Sequence, residues 1–117
     1  AFGAYLVTPG FKLPNLWVIH VRATSFNTHN DAPAILKSAV TAALQGAQDN
    51  DIRRLAIPAI GTGVFAFPPM LAAQTLADVL ARADTIAPHL ELVRVCVTSN
   101  DLRDAYASAC GRVGLKT

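Results

Sequence analysis

A chain of 117 residues has room for one domain with a modest core. Hydrophobic residues make up 52% and charged ones 15%, which excludes a disordered chain and leaves apolar surface to be covered by another segment or a second subunit. The formal net charge of +2 is too small for a nucleic-acid surface, and no uninterrupted apolar run reaches the roughly 18 residues of a membrane span.

The chain starts at Ala1, almost directly in a strand and with no secretory leader pattern, as a processed product or excised domain would. Residues 4–8 form a short strand closed by Pro9-Gly10, a strong turn signal. Phe11 to Asn15 connects it to a second strand, residues 16–21, rich in apolar and β-branched side chains, and the two pair as a hairpin. Residues 24–30 are polar and read as a loop. Asp31 then stands as N-cap with Pro33 in the first turn of a helix. Ile35, Leu36, Ala39, Val40, Ala43 and Leu44 recur at helical spacing, and Gly46 is placed to stop that helix.

Residues 54–59 carry apolar side chains at successive positions, the mark of a central strand covered on both faces. The second helix spans residues 69–83, with Met70, Leu71, Leu76, Val79 and Leu80 inward. The last strand spans residues 91–98. Ser99 or Asn100 caps a final helix running to about Ala109, with Gly111 at its end. Strands alternating with helices after a first hairpin define an α/β fold, a mixed sheet flanked by helices.

The most informative segment is Ile57-Pro58-Ala59-Ile60-Gly61-Thr62-Gly63-Val64-Phe65, a buried strand running into a glycine turn, with Pro68-Pro69 opening the next helix. Glycines let backbone N–H groups approach a ligand closely, and a helix N-terminus adds partial positive charge and donors. Together they make a phosphate cradle. A two-glycine turn can equally be a plain connector. What favours the cradle is position, because ligands of such sheets bind at the carboxyl ends of strands. The glycine loop is at one such end, and Ser99, Asn100 and Asp101 are at another.

Gly61 to Ala66 also fits a G-x-G-x-x-[GA] dinucleotide pattern, but the context fails. Pro68-Pro69 delays the helix, and the acidic residue wanted at the end of the next strand is missing, since Asp78 falls within a helix.

The order and spacing of Ala4-Tyr5-Leu6-Val7-Thr8-Pro9-Gly10-Phe11-Lys12-Leu13, of Trp17-Val18-Ile19-His20 and of the Ile57 to Phe65 segment resemble the macrodomain family over nearly the whole chain. The resemblance implies binding of ADP-ribose or a related diphosphate nucleotide, or of an ADP-ribosylated protein. The loop of Ile60, Gly61, Thr62, Gly63, Val64 and Phe65 would wrap the diphosphate through backbone N–H groups. Phe65 would pack against the distal ribose, and Asn100 would lie on the adenine side.

Two departures follow from the same resemblance. Thr98-Ser99-Asn100-Asp101 offers no ring to stack on adenine, an interaction of about 1–3 kcal/mol per base. The family's two further N-terminal strands and helix, with its Asn- and Gly-rich catalytic loop, are not found, so the fold is expected to be N-terminally truncated. One of those strands would lie beside the glycine-loop strand, and its loss leaves a central gap with unpaired backbone groups. Another segment or a second copy is expected to fill that gap. The alternatives to a binding module are an ADP-ribosyl hydrolase completed by the missing segment and a ligand-free assembly module.

No catalytic residue, cofactor or metal is assigned. His20 reads as a core or structural histidine rather than a catalytic one. His29 and His89 lack metal spacing, and Cys96 and Cys110 read as buried thiols in a reducing, cytoplasmic setting. Trp17 and Phe26 read as packing residues, and Phe67 either lines the ligand mouth or packs under the loop.

Overall fold

The computed structural model describes residues 2–10, 17–27 and 31–115. The expected connection from Phe11 to Asn15, Leu16 at the head of the second strand, and His29 lie outside the described residues. Two strands, β1 (Tyr5–Pro9) and β2 (Trp17–Val21), form the expected antiparallel hairpin, with Tyr5 opposite Val21 and Pro9 opposite Trp17.

Helix α1 (Ala32–Asp49) follows, and Leu36, Ala39, Val40, Ala43, Leu44 and Ala47 make its buried stripe. Asp31 stands at the N-cap position but makes no side-chain cap bond, so Pro33 with its fixed φ is what sets the helix start. Gly46 does not stop α1. It lies within the helix against the hairpin, and a Cβ there would be 3.0 Å from Tyr5 Cδ1 and 3.1 Å from Ile19 Cγ2. Gly46 is present for close approach, and the helix runs on to Asp49.

Strand β3 (Arg54–Pro58) pairs in parallel with β4 (Leu92–Cys96), Pro58 lying beside Cys96. The crossover between them is α2 (Pro69–Leu80) and the single turn α3 (Ala83–Ile86). Helix α4 (Asn100–Arg112) closes the described chain. Ser99 is its N-cap, the Leu102 N–H donating to Ser99 Oγ at 3.2 Å. Gly111 lies inside α4, and the helix runs to Arg112 with Val113 as its C-cap.

The main core joins Val40 and Leu44 of α1, Ile57 of β3, Leu76 and Val79 of α2, and Tyr106, Ala109 and Cys110 of α4. All these helices meet one face of the β3–β4 pair. Leu55 and Ile57 point into the core, whereas Arg54, Ala56 and Pro58 are exposed. The expectation that β3 is covered on both faces is corrected: apolar residues at successive positions do not mean two covered faces when one of them is as small as Ala56. Met70, expected inward, is 43% exposed in the first turn of α2, and Cys96 is exposed on the open face of β4. Cys110 is buried, as expected.

The α/β architecture is the expected one, with antiparallel and parallel pairing both present. Among the described residues the strands stand as two two-stranded sheets, β1–β2 and β3–β4. Between β2 and β3 runs a groove of about 1250 Å³, lined along the full length of both strands. Among the described residues no helix is long and apolar enough to cross a membrane.

Candidate functional site: the loop after β3

Because β3 and β4 are parallel and in register, the segments that follow them leave the same end of the sheet. Residues 59–67 leave β3 there and residues 97–99 leave β4, so Gly61, Gly63 and Asn100 belong to one end of the fold. The sequence reading placed them so.

The loop has a definite shape fixed by its own backbone. Gly61 (φ +93°) and Gly63 (φ +69°) are left-handed, and so is Ala66 (φ +59°). Such angles strain residues with a Cβ, so the glycines are what permit the path. The Ile60 N–H donates to the Pro58 carbonyl at 2.8 Å, and Thr62 Oγ1 donates to the Ala59 carbonyl at 2.7 Å. A 3₁₀ turn, Gly63–Phe65, closes with the Ala66 N–H on the Gly63 carbonyl at 2.9 Å. The N–H groups of Gly63 and Val64 open that turn and have no acceptor within it.

The loop is anchored from below and from the side. A Cβ on Gly61 would meet Phe67 Cδ1 at 3.0 Å and Leu36 Cδ2 at 3.2 Å. Phe67 is 3% exposed and tilts against Phe26 at 5.2 Å between ring centroids. Of the two readings of Phe67, the structure gives packing under the loop. The Phe26 N–H donates to the Phe65 carbonyl at 2.8 Å, and Ser25 Oγ reaches the same oxygen at 3.4 Å. Phe26 packs, as the sequence reading had it, but its backbone bond and that of the Ser25 hydroxyl to the Phe65 carbonyl are supports that reading missed. The stretch around them shows only a polar loop, and nothing in it encodes a partner 40 residues away.

Among the described residues, a Cβ on Gly63 would meet nothing within 4 Å. Gly61 therefore faces the protein and Gly63 faces outward. Phe65 is half-exposed, and with Ile60 it lines the groove that runs between β2 and β3. Asn100 is exposed in the first turn of α4, with Ser99 rather than Asn100 as the cap.

The helix after the loop contributes less than its position suggests. Pro68 and Pro69 occupy the N-cap and first turn of α2, and neither carries an N–H. That end of α2 therefore offers only the N–H groups of Met70 and Leu71, which add to the donors of the loop itself. Residues 59–67 also include no titratable side chain, so the loop offers oriented backbone dipoles and no acid or base.

The perturbed titratable groups are elsewhere. The Tyr5 hydroxyl donates to the Asp49 carboxylate, and that bond holds its pKa above the usual value. Burial pushes Tyr106 up to about 12 and raises the Cys110 thiol.

His20 is exposed on the hairpin with Nε2 2.9 Å from Thr8 Oγ1, so of the core or structural role expected the structure gives a structural contact across the hairpin and not a core one. His89 lies 3.0 Å from the Asp51 carboxylate in a surface cluster with Arg53 and Glu91. Among the described residues no group of three His, Cys, Asp or Glu side chains could hold a metal. Asp78 is exposed within α2, 3.9 Å from Arg112, and not at the end of a strand.

Residues 1–76 match the family model described as Macro domain, and the chain belongs to the Macro domain family. It is 39% identical over 72 residues to a Macro domain-containing protein of Ralstonia nicotianae, an alignment covering 61% of this chain and 42% of that protein. Among solved structures it resembles the Oceanobacillus iheyensis macrodomain with ADP, at a TM-score of 0.85 and 22% identity, over 97% of this chain and 60% of that one. It also resembles the Trypanosoma brucei macrodomain in complex with ADP-ribose, at a TM-score of 0.79 and 20% identity, over 92% of this chain and 45% of that one. The chain thus spans only part of the proteins it matches.

Proposed function

We propose that this chain binds ADP-ribose or a related diphosphate nucleotide, with the loop of Ile60, Gly61, Thr62, Gly63, Val64 and Phe65 holding the diphosphate. The observation that carries this reading is the division of labour between the two glycines. Gly61 packs onto Phe67, while Gly63, also left-handed, presents backbone to open space. A connector needs only the first. The second leaves room for an anion to come against the N–H groups of Gly63 and Val64.

In this reading Phe65 covers the distal ribose and Asn100 lies on the adenine side, where no aromatic ring is available to stack. Nucleotide-bearing macrodomains of the same fold lend the reading further support. Recognition is by backbone dipoles, so affinity depends on the diphosphate more than on the base. Calorimetric titration with ADP-ribose, and with AMP as control, tests this. Binding of ADP-ribose in the micromolar range with much weaker binding of AMP is expected. Equal affinity for the two, or no heat from a folded sample with either, would refute it.

A further inference from the structure

Ala66 takes a backbone conformation that its own side chain opposes. Its φ of +59° is left-handed, as at Gly61 and Gly63, but Ala66 carries a Cβ. For such a residue that region is disfavoured by roughly five- to thirtyfold. A residue stays there only when its surroundings impose it.

What imposes it is a set of bonds on the two peptides that flank Ala66. The peptide joining Phe65 to Ala66 is bonded at both ends. Its N–H donates to the Gly63 carbonyl at 2.9 Å, and its carbonyl accepts from the Phe26 N–H at 2.8 Å. Ser25 Oγ donates to the same carbonyl at 3.4 Å. The peptide joining Ala66 to Phe67 is fixed by the Phe67 N–H on the Gly61 carbonyl at 2.9 Å. The bonds to Gly63 and Gly61 are internal to the loop. Those on the Phe65 carbonyl come from a segment before α1, which the Phe26 ring holds against Phe67.

We propose that Ser25 and Phe26 are positioning residues for the nucleotide site. They hold the Phe65 carbonyl, keep Ala66 left-handed against its own preference, and so fix the exposed Phe65 ring at the mouth of the loop. There the ring separates ligands that carry a distal ribose from those that end at the diphosphate. This rests on the nucleotide reading of the loop and adds the segment that sets its selectivity. The first half of the loop has bonds of its own, the Thr62 N–H and Oγ1 both donating to the Ala59 carbonyl. Loss of the tether therefore falls on Phe65 before it reaches Gly63. Coupling between sites is reciprocal, so a ligand that presses on Phe65 must also strengthen the tether.

The test has one arm without nucleotide and one with it. Ser25→Ala removes the hydroxyl donor and keeps the ring contact, and Phe26→Pro removes the N–H. Each is made alone and together with Ala66→Gly, which takes the left-handed φ without steric cost. Without nucleotide, hydrogen-exchange protection at residues 66 and 67 is expected to fall about fivefold in Ser25→Ala. Adding Ala66→Gly should recover most of that loss. With nucleotide, ADP-ribose affinity should fall about fivefold in Ser25→Ala, while ADP affinity moves less than about twofold. Ala66→Gly should again recover the difference, and Phe26→Pro, where it folds, should show both effects more strongly. In the parent, ADP-ribose but not ADP should slow exchange at the Phe26 amide.

Unchanged protection in Ser25→Ala would overturn the tether, whatever the nucleotides do. Equal losses for ADP-ribose and ADP would make the segment a support of the fold and not of selectivity. A folded parent that binds neither nucleotide would refute the nucleotide reading and the selectivity role with it, even where exchange shows the tether.

Discussion

Gly61 and Phe67 hold each other in place: the Phe67 N–H donates to the Gly61 carbonyl at 2.9 Å, and the Phe67 ring occupies the space where a Cβ on residue 61 would need to go. The glycine loop is thus a folded object with its own small core of Leu36, Phe67, Ala32 and Ala72. Replacing Gly61 by alanine drives a methyl into Phe67 at 3.0 Å and forces a left-handed φ on a residue with a Cβ. A loss of roughly 1–3 kcal/mol is expected, read as a lowered urea midpoint. An unchanged midpoint would show that the ring is free to move.

The contact of Gly46 with the hairpin gives a second expectation. A helix interior normally gains about 0.5–1 kcal/mol when glycine becomes alanine. Here Tyr5 and Ile19 stand at 3.0 and 3.1 Å, and valine adds bulk that both must yield to. Gly46→Val should cost about 1–3 kcal/mol through overpacking, and the loss should be felt in the hairpin. Thermal melts together with hydrogen exchange at β1 and β2 amides would show it. A variant as stable as the parent would mean that α1 and the hairpin are not packed as described.

Tyr106 supplies the pH dependence. It is 4% exposed in α4, and its hydroxyl has no hydrogen-bond partner among the described residues. Burial holds its pKa at about 12, above its ordinary 10. The folded state therefore keeps the neutral phenol after the unfolded state has begun to lose its proton. Stability from this group is complete below pH 10 and falls as pH rises from about 10 towards 12, by something on the order of 2 kcal/mol. Tyr106→Phe removes a buried, unsatisfied hydroxyl, so it should be neutral or slightly stabilising at pH 7. It should also flatten the alkaline limb. A parallel alkaline loss in parent and variant would move the origin of that limb elsewhere.

Much of the architecture was legible because it depends on local chemistry. Pro9-Gly10 ended a strand, Pro33 opened a helix, and the alternation of strands and helices defined the fold class. Gly61 and Gly63 marked the loop because only glycine takes those angles without strain. What could not be read depends on neighbours distant in sequence. Gly46 looked like a helix stop because its reason, the hairpin at Tyr5 and Ile19, lies across the fold. Arg54, Ala56 and Pro58 looked covered because a run of apolar residues does not record which face meets a helix. Ser25 and Phe26 gave no sign of holding the Phe65 carbonyl. The two glycines of the site looked equivalent, and only their surroundings separate the one that packs from the one that faces out.

That separation is what the functional proposal stands on, and one comparison tests it most directly: the ADP-ribose affinity of the parent, Thr62→Ala and Gly63→Val. Thr62 Oγ1 serves the Ala59 carbonyl inside the loop, so Thr62→Ala should cost about 1 kcal/mol of stability and leave affinity within a few-fold of the parent. A Cβ at 63 meets no atom of the described residues within 4 Å, so the bulk of valine is directed to the open side, and its β-branch resists the left-handed φ. Gly63→Val should fold and lose ADP-ribose binding. A folded Gly63→Val that binds as tightly as the parent would contradict the account, because the nucleotide would then not be held by this loop.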